Sequence, residues 1–341
     1  MTLLALGGCG EPGPIERALS SGSPALQRVM DNLAQHEVQI LFTEVIRSAS
    51  GGVQLRHDEF QVRDDRYHYP ASTVKLPVAL LALEKLSEDE RLDRYTRFQV
   101  AGEDYGSSVT NELIELFAVS DNQAYNRLFE YVGKDEINRR LQARDIEARI
   151  SHRLSVPDSD VLVTRSLTFS ASDGPLVVGP IENQPIEPLA LAELRKGVAY
   201  VEDGELVDAP FDFSEKNYLP LRSLHGIMSR LAVPEAFPPE QQFRLSDADR
   251  RFVLQTMATY PRQVGYDETE FPDGYAKFLI LGDSGQRAPE RFAIHNKSGW
   301  AYGYLSDSAY IVDREQNREY IISAAIHVNA NRTFNDDQYE Y

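Results

Sequence analysis

The sequence predicts a two-lobed protein: an α/β lobe whose antiparallel sheet is built from both ends of the chain, and an all-α lobe made by the residues between. Three observations carry that expectation. Residues 36–48, HEVQILFTEVIRS, are β-branched and alternating, and VQLRHDEFQV follows Gly51-Gly52, so the pair reads as a β-hairpin. The last 50 residues are strand-like again in RFAIHNKSG, SDSAYIVDR and EYIISAAIHVN, the last two joined by the turn EQNR at 315–318. Between these ends, apolar residues recur three and four apart in VTNELIELFAV (109–119) and QAYNRLFEYV (123–132), the period of a helix. A sheet and a set of helices, each apolar on one side, bury those sides against each other.

The elements follow in order. Residues 10–24, GEPGPIERALSSGSP, are rich in Gly, Pro and Ser and read as linker, so residues 1–24 divide into a leader remnant and a linker. Residues 25–341 then form one domain, with a sheet lobe over about 25–70 and 285–341 and a helical lobe over about 71–284. The pattern is helical from about 72 to 150, through DEINRRLQAR. Residues 156–220 change character: VLVTRSLTFSASDGPLVVGP holds two β-like runs around Ser172-Asp173-Gly174, and Pro-rich connections follow, which reads as an irregular insertion with a hairpin. Helical signals return in LRSLHGIMSRLA (221–232) and SDADRRFVLQTMATY (246–260), where Ser246 is placed as an N-cap. The tail NDDQYEY reads as a surface end.

Composition excludes several classes. Apolar residues make up 42% and charged residues 26% of the 341, as in soluble globular proteins. The formal net charge is −18 with no basic run, which argues against nucleic acid and against anionic membrane surfaces. No apolar run reaches the ~20 residues of a membrane span. The seven histidines show no metal-ligand spacing and have no cysteine partner, so neither a zinc site nor another cofactor is expected. The single cysteine, Cys9, allows no internal disulfide. Its context, Leu6-Gly7-Gly8-Cys9, resembles a bacterial lipobox, although the apolar stretch before it is shorter than a secretory signal. That resemblance implies lipidation at Cys9 and a periplasmic or cell-envelope location, with membrane contact only through the lipid.

One lysine is out of place for a helix. In YHYPASTVKLPVALLALEKL (67–86), Lys75 lies at the start of an apolar helix, where a positive charge opposes the macrodipole. Ser72, three residues earlier, falls on the same helical face. A serine hydroxyl is a weak nucleophile without a base, and a lysine becomes a base only when burial and the helix dipole strip its proton. The placement is poor for helix stability and suited to a neutral amine beside a serine. The Ser72 backbone N–H, at the same helix start, is one candidate oxyanion donor.

Two further motifs fall in order: Ser120-Asp121-Asn122 between helical segments, and Lys297-Ser298-Gly299 on a predicted strand. Ser-x-x-Lys alone is expected about once in a chain this long, but the three together on helix start, interhelical loop and strand are not a chance pattern. The set resembles the serine β-lactamase and penicillin-binding-protein superfamily, most closely its class A branch, with Ser298 where threonine is usual. The resemblance covers about residues 30–150 and 285–341. It implies the two-lobed β-lactamase-like (DD-peptidase) fold, with Ser72 as nucleophile, Lys75 as base and Ser120 as proton relay to the leaving nitrogen. By the same resemblance, Trp300 would supply the second oxyanion N–H, Asn122 would contact a substrate amide and Lys75, and Asp121 would hold the loop. Lys297, Ser298 and Gly299 would form the substrate site, with Lys297 and Ser298 on a carboxylate. His295, beside the third motif, reads as an alternating strand residue.

One family feature is missing. Class A enzymes carry a glutamate, in a Glu-x-x-Leu-Asn loop, that activates the deacylating water. Here ISHRLSVPDSD (150–160) offers Arg153 at the family's loop arginine, then Leu154, Ser155, Val156 and Pro157, with Asp158 and Asp160 too late. The implied function is a serine hydrolase that forms an acyl-enzyme on a β-lactam or related amide. The alternatives are a penicillin-binding DD-peptidase acting on peptidoglycan stem peptides, which slow deacylation favours, and a non-catalytic peptidoglycan-binding envelope protein. Intact Ser72, Lys75, Ser120 and Lys297 argue against the last.

Overall fold

The computed structural model describes residues 12–282 and 284–341; Cys9 and its lipobox-like context lie outside the described residues. Helices α1 (Pro14–Leu19), α2 (Pro24–Met30) and α3 (Leu33–His36) lead into the hairpin β1 (Gln39–Arg47) and β2 (Val53–Phe60). A 3-10 turn, Ala71–Val74, opens α4 (Lys75–Leu86). Strands β3 (Arg97–Val100) and β4 (Gly106–Ser108) precede α5 (Val109–Ala118), α6 (Asn122–Val132) and α7 (Lys134–Gln142). Six short strands follow: β5 (Leu167–Ala171), β6 (Gly174–Val178), β7 (Arg195–Lys196), β8 (Ala199–Glu202), β9 (Glu205–Val207) and β10 (Phe211–Asp212). The chain closes with α8 (Leu221–Ala232), α9 (Asp247–Met257), α10 (Phe278–Leu281), β11 (Phe292–Ala301), β12 (Tyr304–Asp313), β13 (Arg318–His327) and β14 (Thr333–Phe334).

The two ends of the chain form one antiparallel sheet in the order β11-β12-β13-β1-β2, with Thr43 opposite both Ile321 and His57. Along β1, Gln39, Leu41, Thr43 and Val45 are buried and the residues between are less so, the period-two pattern of a sheet with one face covered. Helix α8 covers that face. The polar contact there is complete: the Thr43 hydroxyl meets His57 Nδ1 at 2.8 Å and His225 Nε2 at 2.7 Å, and His225 Nδ1 meets Ser323 Oγ at 2.9 Å. Burial pushes His225 down to about 3, so this chain runs through an uncharged imidazole.

Helix α4 is the centre of the helical lobe. Leu76, Val78, Ala79, Leu80, Leu81 and Ala82 are all fully buried, because the helix is apolar all round and α5, α6 and α7 surround it. Side-chain caps set where its neighbours start: Ser108 accepts from the Asn111 N–H and Asp121 from the Ala124 N–H. Ser246 caps α9 in the same way, accepting from the Asp249 N–H.

Four local readings change. The stretch 72–150, read as helical throughout, contains β3 and β4, which join the β5–β6 hairpin in a four-stranded sheet ordered β4-β3-β5-β6. Strands of three and four residues leave no periodic signal to read. The stretch read as linker carries α1, with Ile15 buried and its N–H on Asp58 at 2.9 Å. The α-helix starts at Lys75, and Ser72 sits in the 3-10 turn before it. The tail after β14 is not a free surface end: Asn335, Asp337, Tyr339 and Tyr341 fold back onto the cleft that Ser72 faces.

Candidate active site

Ser72 lies in the turn between the lobes. Its neighbour Ala71 is buried with φ of 47°, a left-handed conformation that costs a residue with a Cβ on the order of 1 kcal/mol or more. The turn is closed by the Thr73 hydroxyl, which donates to the Pro70 carbonyl at 2.6 Å. Strand β11 presses against it. A Cβ at Gly299 would stand 2.5 Å from the Ser72 nitrogen and 2.9 Å from that of Thr73, so only glycine lets the strand approach this closely. Gly299→Ala is expected to push β11 off the turn and to lower the acylation of Ser72 that the motif resemblance implies about ten- to a hundredfold, from overpacking of ~1–3 kcal/mol, with little loss of secondary structure. Acylation rate and circular dichroism measured side by side check it; a wild-type rate would show that the approach is not needed.

Behind Ser72 is a buried chain of polar groups. Lys75 Nζ donates to the Ser120 carbonyl, to Ser120 Oγ at 3.1 Å and to Asn122 Oδ1 at 2.6 Å. Lys297 Nζ donates to the same Ser120 Oγ at 2.9 Å and to the Ser298 carbonyl at 2.6 Å. Ser120 has φ of 58°, which turns its side chain back between the two lysines. The Ser120 hydroxyl is thereby held between the two amines, within hydrogen-bond reach of each. Burial first, and then the nearby Lys297, hold Lys75 well below the usual amine range. Burial also brings Lys297 down to about 7. Among the described residues, the Lys75–Ser72 hydrogen bond suggested by the three-residue spacing is not formed; the amine is drawn to the Ser120-Asp121-Asn122 loop instead.

The register of β11 places the remaining groups. Tyr302 and Gly303, with φ of 55° and 74°, form the two-residue loop to β12, so the flanking Ala301–Tyr304 pair exchanges hydrogen bonds and the next pair, Trp300–Leu305, does not. Since β11 is the sheet edge, the Trp300 N–H and C=O face outward, on the wall where Gly299 meets Ser72. Side chains alternate: Lys297 points to the helical lobe, and Ser298 and Trp300 to the opposite face. The Ser298 hydroxyl, expected on a substrate carboxylate, is buried and donates to the Ala276 carbonyl at 2.9 Å. His295 bonds the Leu254 carbonyl through Nδ1 at 2.7 Å, a structural contact.

The loop that lacks the glutamate is held by one face of α6. Tyr125 donates to the His152 carbonyl at 3.1 Å. Asn126 bonds both the carbonyl and the N–H of Leu154, at 2.9 and 2.8 Å. Buried Glu130 accepts from Arg153 at 2.9 Å and from Arg165 at 3.0 Å. Sequence reasoning missed Asn126 and Glu130, although their spacing on an otherwise apolar helical face was a signal. Asn122 donates to Ser155 Oγ at 2.9 Å. A cavity of about 500 Å³ opens between Ser72, Asn122, Ser155, Trp300 and the tail. Ser155, Val156 and Ser159 of the loop line it, whereas Asp158 and Asp160 do not; the carboxylate on its wall is that of Asp337.

A serine-bearing turn, two buried amines joined by one hydroxyl, and an edge-strand N–H are groups from which an acyl-transfer site can be built. A family model described as "Beta-lactamase enzyme family" matches residues 23–247, a span that ends before Lys297. Among solved structures, the chain is similar to PBP-A, with 14% identity and a TM-score of 0.51 over 91% of this chain and 86% of that one. An acyl-enzyme complex of a PBP-A variant with penicillin G gives the same identity and TM-score over 91% and 87%. A beta-lactamase from Streptomyces albus G is 13% identical over 92% and 91%, with a TM-score of 0.49. No curated protein matches the sequence.

Proposed function

The chain belongs to the beta-lactamase enzyme family, and from that premise we propose that it is a serine hydrolase in which Ser72 attacks the carbonyl of a β-lactam or related amide and becomes acylated. The observation that carries the reading is the Ser120 hydroxyl bridging two buried lysines behind the turn that bears Ser72. Neutral Lys75, with its two N–H groups on the Ser120 carbonyl and Asn122, turns its lone pair to Ser72 and takes the hydroxyl proton as the Oγ–C bond forms. The Ser72 and Trp300 N–H groups receive the developing oxyanion. Ser120 gives its proton to the leaving nitrogen as the C–N bond breaks and recovers one from Lys75. Asn122 holds the substrate amide. Incubation with a fluorescent penicillin, followed by intact-protein mass spectrometry over time, tests this: a penicilloyl adduct on Ser72 is expected. Absence of both adduct and hydrolysed penicillin would overturn it.

A second reading, a DD-peptidase acting on peptidoglycan stem peptides, is favoured by the loop 150–160, which brings no carboxylate to the cavity. Its acyl-enzyme would be passed slowly to water.

Protonated Lys297 has two of its three donors engaged, and this reading gives the third to a substrate carboxylate that must reach the buried amine past the cavity wall. Its charge, present below about 7, is lost as pH rises through that value. The second-order acylation constant of a carboxylate-bearing penicillin is therefore expected to fall above pH ~7, by about tenfold per pH unit, because this constant reports the free enzyme. The methyl ester of the same penicillin should lack that limb. Identical profiles for acid and ester would assign Lys297 to Ser120 alone.

A further inference from the structure

We propose that Asp307, buried on β12, is a positioning residue for the acyl-transfer reaction: with Lys277 and Asn296 it clamps β11 on both sides of Lys297, and its carboxylate supplies the negative charge against which the Lys297 ammonium is held. The proposal rests on the acyl-transfer reading above. Lys297 finds no carboxylate among its hydrogen bonds, which go to Ser120 Oγ and to the Ser298 carbonyl. A buried ammonium without a countercharge is unfavourable. The countercharge comes from behind the strand.

Asn296 and Ser298 flank Lys297 on β11 and point to the face opposite it. Both donate to the Ala276 carbonyl, Asn296 Nδ2 at 2.6 Å and Ser298 Oγ at 2.9 Å. Asn296 Oδ1 accepts from Lys277 Nζ at 2.9 Å. The other two Lys277 protons go to the Met257 and Ile294 carbonyls, at 2.7 and 3.2 Å. Three acceptors for three protons make Lys277 an ammonium. Asp307 stands opposite Ser298 in the β11–β12 register and so shares its face. Its carboxylate accepts from Asn296 Nδ2 at 2.8 Å and from the Phe278 and Leu279 N–H groups at 3.0 and 3.3 Å. Hydrogen bonds of this kind favour the ionised form. One buried carboxylate thus ties β12, β11 and the segment 276–279 together, directly behind Lys297.

The charges around Lys297 have definite places. On the helical side stand Lys75 of α4 and Asp121, which caps α6. Behind the strand stand Lys277 and Asp307, with the Tyr260 ring 5.2 Å from the Lys277 amine. Asp273 is taken by Arg262 at 2.8 Å, and His295 turns to the Leu254 carbonyl of α9. Asp307 acts on Lys297 through the strand, where neighbouring backbones are ~4.8 Å apart and no water screens the field. Burial draws the Lys297 amine down, Asp307 pulls it back up and Lys277 pushes it down again, to about 7.

Two substitutions of opposite sign test the arrangement. Asp307→Asn removes the negative charge and should move the alkaline limb of acylation by a carboxylate-bearing penicillin to lower pH, by about half a unit or more, a roughly threefold loss on the falling limb. Lys277→Met removes the positive charge and should move that limb to higher pH by a similar amount. The methyl ester of the penicillin should show neither shift. A merely structural role would lower acid and ester alike and leave the limb in place. Limbs that stay put, or that both substitutions displace in the same direction, would overturn the proposal. Circular dichroism shows whether each variant folds, and wild-type protein covers the case that one does not: the Lys297 side-chain NMR resonance should carry a second inflection near pH 6, where buried Asp307 takes up its proton. A single inflection there would overturn the coupling. The acylation reading fails separately, if wild-type protein gains no adduct, because the NMR titration needs no substrate.

Discussion

Ser72→Ala is expected to reduce acylation by penicillin by about 10⁴-fold or more, to below detection, while the protein keeps its fold. Ser72 is partly buried at the cavity wall and makes no side-chain hydrogen bond among the described residues, so removing its hydroxyl breaks no polar contact. The turn is held by Thr73 on Pro70 and by the approach of Gly299, both untouched. Secondary structure and melting temperature should therefore match wild type, and only the covalent step should disappear. Intact-mass spectrometry reads the adduct directly. Penicilloyl mass gained by Ser72→Ala at the wild-type rate would remove Ser72 from the chemistry and point to another hydroxyl on the cavity wall, such as Ser155 or Ser159.

The second large effect concerns release. Wild-type protein is expected to show a burst, one equivalent of penicillin opened quickly and the adduct then persisting, because no loop carboxylate faces the cavity. General-base assistance supplies ~10²–10⁴ in rate. Ser155 is where that assistance is absent: its hydroxyl meets Asn122 at 2.9 Å, and it lines the same cavity as Ser72. Ser155→Glu is expected to raise the deacylation rate by about 10²-fold or more by placing a carboxylate there. The backbone permits it at modest cost, since φ at 155 is already 51° with a serine. Stopped-flow measurement of burst and steady-state phases separates the outcomes. A wild-type protein with rapid turnover and no trapped adduct would mean that another base serves, and Asp158→Asn, Asp160→Asn and Asp337→Asn would identify it.

Much of this was legible in the sequence because it is local or periodic. Alternation marked β1, β2 and the three C-terminal strands, and the 3.6-residue period marked α5, α6, α8 and α9, since each pattern is the direct imprint of one buried face. Ser72, Lys75, Ser120, Asn122 and Lys297 were legible as short motifs, and the fold draws the three motifs together. By itself the sequence determined the lobes, the residue types at the cleft and the absence of a glutamate after Arg153. Tertiary structure alone decided how they meet. Lys75 turns to the 120–122 loop, because carbonyl and amide oxygens there satisfy a buried amine more fully than one hydroxyl would. Ser298 turns to Ala276, since strand alternation sends it to the face opposite Lys297. The tail closes the cleft through single tyrosine contacts to a β-turn more than thirty residues away, and contacts between such distant segments leave no periodic trace in either one.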